Sequence, residues 1–208
     1  MSVKKQIVID LMFYLGLPLA IWNLGRGFTG DYLAMFLSAL TAILYTAYKF
    51  FFEKKYNVTG LVIVFGILLN LYLNLISETA IDILYNGVYL NMAFILLYGV
   101  SMVLRRPLGR VFYLDYRKMY GEAREESLEK LKGFSGSRLF DALTLIFIVR
   151  ELALWGIRAL LLQRYGVEGA NEVLVYSRIV SYLFIAMIGG MVVYIDKRWQ
   201  GVQSQNTC

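Results

Sequence analysis

The chain has 208 residues, of which 59% are hydrophobic and only 17% charged, with 21 Lys and Arg against 15 Asp and Glu. Soluble domains sit nearer about 45–50% apolar and about 25% charged, so this composition belongs to another class of protein. Histidine is absent and Cys208 is the single cysteine, which excludes His-based triads, His–zinc sites, imidazole proton relays and intramolecular disulfides.

The apolar residues gather in long runs. Six are long enough to cross about 30 Å of hydrocarbon, which takes roughly 20 helical residues; they lie near 7–25, 31–52, 58–77, 83–104, 139–162 and 172–196. There are only two prolines, Pro18 and Pro107, and no Ser/Gly-rich linker. The expected fold is therefore all-α: a polytopic membrane protein of six helices in one bundle, with residues 1–208 forming a single membrane domain.

The first run follows Lys4 and Lys5 and carries Asp10. It is too long for the core of a signal peptide and lacks a small-residue cleavage site, so an uncleaved span is expected. The second run places Ala34, Ser38, Ala42 and Thr46 four residues apart. Small residues in that register make a groove into which another helix can settle closely. In the third, Asn70, Asn74, Ser77 and Glu78 fall on one helical face. Asparagines in hydrocarbon need partners, so this stripe faces either neighbouring helices or a polar cavity. The fourth run opens with "TAIDILYNGVYLN". Asp82, Asn86 and Asn91 suggest that its first turns lie at the membrane surface.

Residues 105–138 form the long connection between the fourth and fifth runs. "RRPLGRVFYLDYRKMYGEAREESLEKLKG" interleaves bases with Leu108, Val111, Phe112, Met119 and Tyr120. Its second half offers Glu126 to Lys130 and Glu129 to Lys132 at helix-supporting spacings. A basic amphipathic cytoplasmic segment on anionic inner-leaflet lipid is expected here, with nucleic-acid binding disfavoured. Asp115 falls in this charged segment.

The fifth run, "FIVRELALWGIRALLL", sets Arg150 beside Glu151 in mid-span, with Arg158 two turns on. Charges at such depth turn inward. Adjacent helical positions diverge by about 100°, so each is expected to find a separate partner. Arg150 is free to reach the Asn70–Glu78 stripe, and Glu151 shares a face with Arg158. Arg178, Asp10 and Asp31 are expected nearer the interfaces. The candidate polar site is thus Asn70, Asn74, Glu78, Arg150, Glu151 and Arg158, either an ion-pair scaffold or a site for substrate, lipid or ion.

Orientation follows from the bases. Lys4 and Lys5, Lys49 to Lys55, the dense set from Arg105 to Arg138, and Lys197 with Arg198 all lie in connections on one side. That side is expected to be cytoplasmic, with both termini. The sequon at Asn57 then faces the cytoplasm and is not a glycosylation site. "LAIW" at 19–22 and "LALW" at 152–155 each precede a Gly-containing turn and another span, a faint sign of a duplicated hairpin. No HExxH, GxSxG, P-loop or clustered acidic motif occurs, and no enzyme or cofactor is expected.

Three stretches carry a resemblance: Pro18 with Ile21-Trp22, "GDYLAMFLSALTAILYTAYKF" at 30–50, and "SMVLRRPL" at 101–108. In these, over about half its length, the chain resembles the small bacterial inner-membrane proteins grouped around intracellular septation protein A. It departs from them at Thr41, where related sequences tend to carry Pro, and in its longer loop. The resemblance implies a non-enzymatic protein of the bacterial inner membrane that supports envelope integrity or division through contacts with lipids, other membrane proteins or copies of itself. The alternative, drawn from the midplane charges, is a small transporter or lipid flippase.

Overall fold

The computed structural model describes residues 8–52, 58–119 and 137–206, and every element assigned in them is helical. A π-helical turn, Met12–Gly16, leads into α1 (Leu17–Thr29). Then come α2 (Asp31–Phe52), α3 (Val58–Leu75), α4 (Ala80–Val103), α5 (Leu108–Met119), α6 (Ser137–Tyr165) and α7 (Ala170–Asn206), the last two joined by a 3-10 turn, Gly166–Gly169. Five stretches are long and apolar enough to cross a membrane: Val8–Thr29, Asp31–Phe50, Val58–Leu75, Ala80–Val103 and the 61-residue Arg138–Arg198. The last doubles back at the 3-10 turn. Arg158 of α6 bonds Ser177 of α7, while Leu143 and Ile195 share a cluster far from the turn.

Local chemistry sets the helix ends. Gly30, at φ +81°, makes the one-residue break between α1 and α2, a conformation that suits glycine. Thr79 and Asp82 close a capping box at the start of α4. The fourth helix therefore begins at Ala80, not at 83. Its asparagines also differ from expectation, since Asn86 and Asn91 are buried and only Asp82 stays exposed. α4 stops where Arg105 turns to φ +56° and the Arg106 N–H reaches back to the Ser101 carbonyl at 2.9 Å, just before Pro107.

Pro18 shapes the first segment. It has no N–H to give the carbonyl four residues back, that of Tyr14. The helix loosens into the π turn there, and Arg178 Nη2 donates to the Tyr14 carbonyl at 3.0 Å. Ser38, fully buried in the small-residue register of α2, donates to the Pro18 carbonyl at 2.9 Å. Ala34 lies 3.6 Å from where a β-carbon at Gly25 would stand, so α1 and α2 pack closely.

Two apolar clusters bracket the bundle. Near the 3-10 turn, Trp22, Ala34, Met35, Ile83, Leu84, Leu162 and Val173 join α1, α2, α4, α6 and α7. At the opposite end Tyr113, Leu114, Phe140, Leu143 and Ile195 join α5, α6 and α7. The outside is apolar, with Phe28, Leu24, Val103, Leu96 and Leu160 all well exposed, while Asn74, Asn86, Asn91 and Glu151 are inside.

The basic connection is described over its first part, where Arg105, Arg106, Arg110 and Lys118 stay exposed. In its described part, α5 crosses the end of the bundle with Tyr113, Leu114 and Asp115 buried. A β-carbon at Gly109 would come within 2.8 Å of the Phe140 carbonyl, and the Gly109 N–H donates to Thr144 at 3.0 Å. Asp115 is no surface carboxylate. It accepts from the Thr59 N–H and hydroxyl at 2.8 Å each, capping the start of α3. Asp196 of α7 accepts from the Tyr113 hydroxyl at 2.5 Å and Arg117 at 3.3 Å. The Glu126–Lys130 and Glu129–Lys132 pairs, with Tyr120, lie outside the described residues.

Candidate functional site

Between the two clusters lies a cavity of about 470 Å³, lined from α1, α2, α3, α4, α6 and α7. Glu151 is only 3% exposed. Contrary to the expectation of separate partners, it pairs directly with Arg150. The flexible arginine stem bends around the helix and cancels the angular divergence of adjacent positions. The second oxygen of Glu151 accepts from Asn91 Nδ2 of α4 at 2.5 Å.

Asn91 also links Glu151 to Arg158. Its Oδ1 accepts from Arg158 Nη1 at 3.0 Å, and the same nitrogen donates to the Gly87 carbonyl at 2.9 Å. Arg158 Nε donates to the Ser177 hydroxyl at 3.1 Å. The face shared by Glu151 and Arg158 is therefore real, with an amide bridging the axial gap between them. A buried charge needs such bonds, because each missing one leaves its desolvation uncompensated.

Arg178 also lines the cavity. It donates to the Tyr14 carbonyl and lies over the Tyr14 ring, 4.8 Å from its centroid. The Tyr14 hydroxyl and Thr46 form a 3.0 Å bond, and both also line the space. Asp10 and Asp31 lie outside it. Asp10 accepts from Tyr45 at 2.6 Å and Lys49 at 3.0 Å, and Asp31 pairs with Arg26, which also holds Glu168.

The α3 stripe divides. Asn70 and Asn74 line the cavity with Arg150, Glu151 and Arg158. Asn74 and Ser77 both accept from Asn86 Nδ2 at 2.9 Å, an interhelical bond of the kind expected for buried asparagine. Glu78 is exposed and takes no part in the lining. Arg150 turns to Glu151 instead of to this stripe.

Five of the six candidate residues thus share one cavity. Asn91, Ser177, Arg178 and Gly87 complete it without having been singled out as site residues. Asn91 carries a signal in the sequence, a strong polar side chain within the apolar run, but polarity alone does not separate a surface turn from a buried partner. Gly87 carried none.

Among the described residues the charged members of the lining are Arg150, Arg158, Arg178 and Glu151. Three guanidiniums face one carboxylate, so the space is electropositive. Among the described residues no group of three or more Asp, Glu, His or Cys is placed to hold a metal ion. No protein-family model matches the chain, and neither the characterised proteins nor the solved structures compared with it include a match.

Proposed function

We propose that the chain is a six-span, non-catalytic protein of a bacterial-type cytoplasmic membrane, with both termini in the cytoplasm, that admits a polar ligand to its central cavity and passes it across the bilayer. Counting α6 and α7 separately gives the six spans, and the placement of the bases supports the orientation. The observation that carries the reading is the imbalance of the cavity, three arginines against one glutamate among the described residues. A scaffold network needs balanced partners, since every surplus charge at this depth is costly. A ligand site tolerates the surplus because the ligand completes it.

Cysteine accessibility tests this. In a Cys208→Ser background, Ser181→Cys and Asn70→Cys report on the cavity and Leu96→Cys on the lipid-facing surface. A membrane-impermeant maleimide applied to spheroplasts and to inside-out vesicles should label the cavity positions from both sides and leave position 96 untouched. A cavity that stays unlabelled from both sides sinks the proposal.

A second reading, support of the envelope through lipid or protein contacts, draws on the exposed bases Arg105, Arg106, Arg110 and Lys118 around α5 and on the septation-protein resemblance. Neutralising these four should abolish such contacts without altering cavity labelling. Loss of labelling with them would count against two separate roles.

A further inference from the structure

We infer that the cavity is selective for a doubly charged phosphate-type oxyanion, a phosphate monoester, held between Arg150 and Arg178. The inference rests on the cavity being a ligand site and goes further by naming what it takes.

The three arginines are not equivalent. Arg158 is fixed through Nε and Nη1 by Ser177, Gly87 and Asn91. Among the described residues Arg150 engages only Nη1, with Glu151, and Arg178 only Nη2, with the Tyr14 carbonyl. A guanidinium carries five N–H donors in a planar fork. Among the described residues no buried side-chain nitrogen or oxygen lacks a partner. The free nitrogens of Arg150 and Arg178 are therefore not sealed in protein, and both side chains border the cavity. Arg158, held through two of its three nitrogens, braces the site, while Arg150 and Arg178 each leave two nitrogens open.

The charge count specifies the ligand. With Glu151 neutralising one of three cations, the remainder matches a dianion. A phosphate monoester concentrates its charge on oxygens that accept the arginine fork bidentately. A phosphodiester would leave one cation unmatched. Ser181, on the same α7 face as Arg178, adds a hydroxyl to the lining. A space of about 470 Å³ suits a small polar group and falls within the roughly 300–1,000 Å³ of small-molecule sites. The same chemistry is presented by a lipid headgroup ending in phosphate and by a soluble organic phosphate.

Thermal unfolding of the purified full chain in nonionic detergent provides the test. The probes are dihexanoyl phosphatidic acid, glycerol 3-phosphate, dihexanoyl phosphatidylglycerol and succinate. A saturable rise in Tm with either phosphate monoester, and not with the diester or the dicarboxylate, is expected. Response to phosphatidic acid alone assigns a lipid headgroup, and response to glycerol phosphate assigns a soluble ligand. Arg178→Gln and Arg150→Gln should each weaken the responding probe at least tenfold, with Arg26→Gln, outside the cavity, leaving it unchanged. Should either Gln variant fail to fold, Ser181→Asp takes its place and should weaken binding likewise by repelling the anion. Equal response to all four probes, no response to any, or undiminished binding in the variants overturns the phosphate assignment. Maleimide labelling of the cavity would still stand in that event, so the two readings fail separately.

Discussion

Arg158 lies against the backbone of Gly87. Its Nη1 donates to the Gly87 carbonyl, and a β-carbon at position 87 would stand 2.5 Å from that nitrogen. The space left by the missing side chain is what lets a guanidinium from α6 bond the backbone of α4.

Gly87→Ala should push this guanidinium away and weaken the Gly87 and Asn91 bonds that share Nη1. A buried cation left short of acceptors costs about 1–3 kcal/mol. Unfolding of the variant in bicelles should register a loss of that size. An unchanged stability would mean that Arg158 relocates freely and does not brace the site.

Glu151 and Arg150 should behave unequally. Glu151→Gln leaves three guanidiniums without a carboxylate and should cost about 3–5 kcal/mol, as for a broken buried pair. Arg150→Met leaves Glu151 its Asn91 bond and, through that amide, Arg158, so it should cost distinctly less. The double variant should recover part of the loss, and the size of the recovery measures the coupling. Equal costs for the two single changes would contradict the asymmetry.

The α5 crosspiece is tied to α3 and α6 at two points. Gly109→Ala drives a β-carbon against the Phe140 carbonyl and Thr144, which are atoms of a packed helix and yield poorly. A loss of about 1–3 kcal/mol is expected. Asp115→Ala removes the cap of α3 and should cost about 0.5–2 kcal/mol, with Asp115→Asn milder because it keeps an acceptor. Proteolysis of the 105–138 connection should accelerate in both destabilised variants. If α5 instead lies free of the bundle, neither rate changes.

Pro18 and Arg178 should be energetically coupled through the Tyr14 carbonyl. Pro18→Ala restores a local N–H for that carbonyl, so Arg178→Met should cost less in that background than in the natural chain. The difference should be about 0.5–1.5 kcal/mol, one hydrogen bond's net worth. Strict additivity in the four-variant cycle would show that the π turn and Arg178 are independent.

Read alone, the sequence determined the helical runs, because hydrophobicity sums along a contiguous stretch. It also singled out most of the polar residues, since Arg150, Glu151, Asn70 and Asn74 are conspicuous in apolar surroundings. The expected start of the fourth helix fell three residues late because Asp82 and the asparagines behind it interrupt the apolar run, whereas the capping box of Thr79 and Asp82 sets it at Ala80. Which polar residues meet was decided only by tertiary structure. Helix rotation and tilt depend on all the packed faces at once, and these brought Asn91 between Glu151 and Arg158, turned Arg178 into the cavity and left Glu78 outside it. Arg150 and Glu151 found each other because a long side chain can undo the angle set by the backbone. The burial of Asp115 has the same origin. A charged connection reads as surface until the fold lays it across the end of a helix that needs a cap.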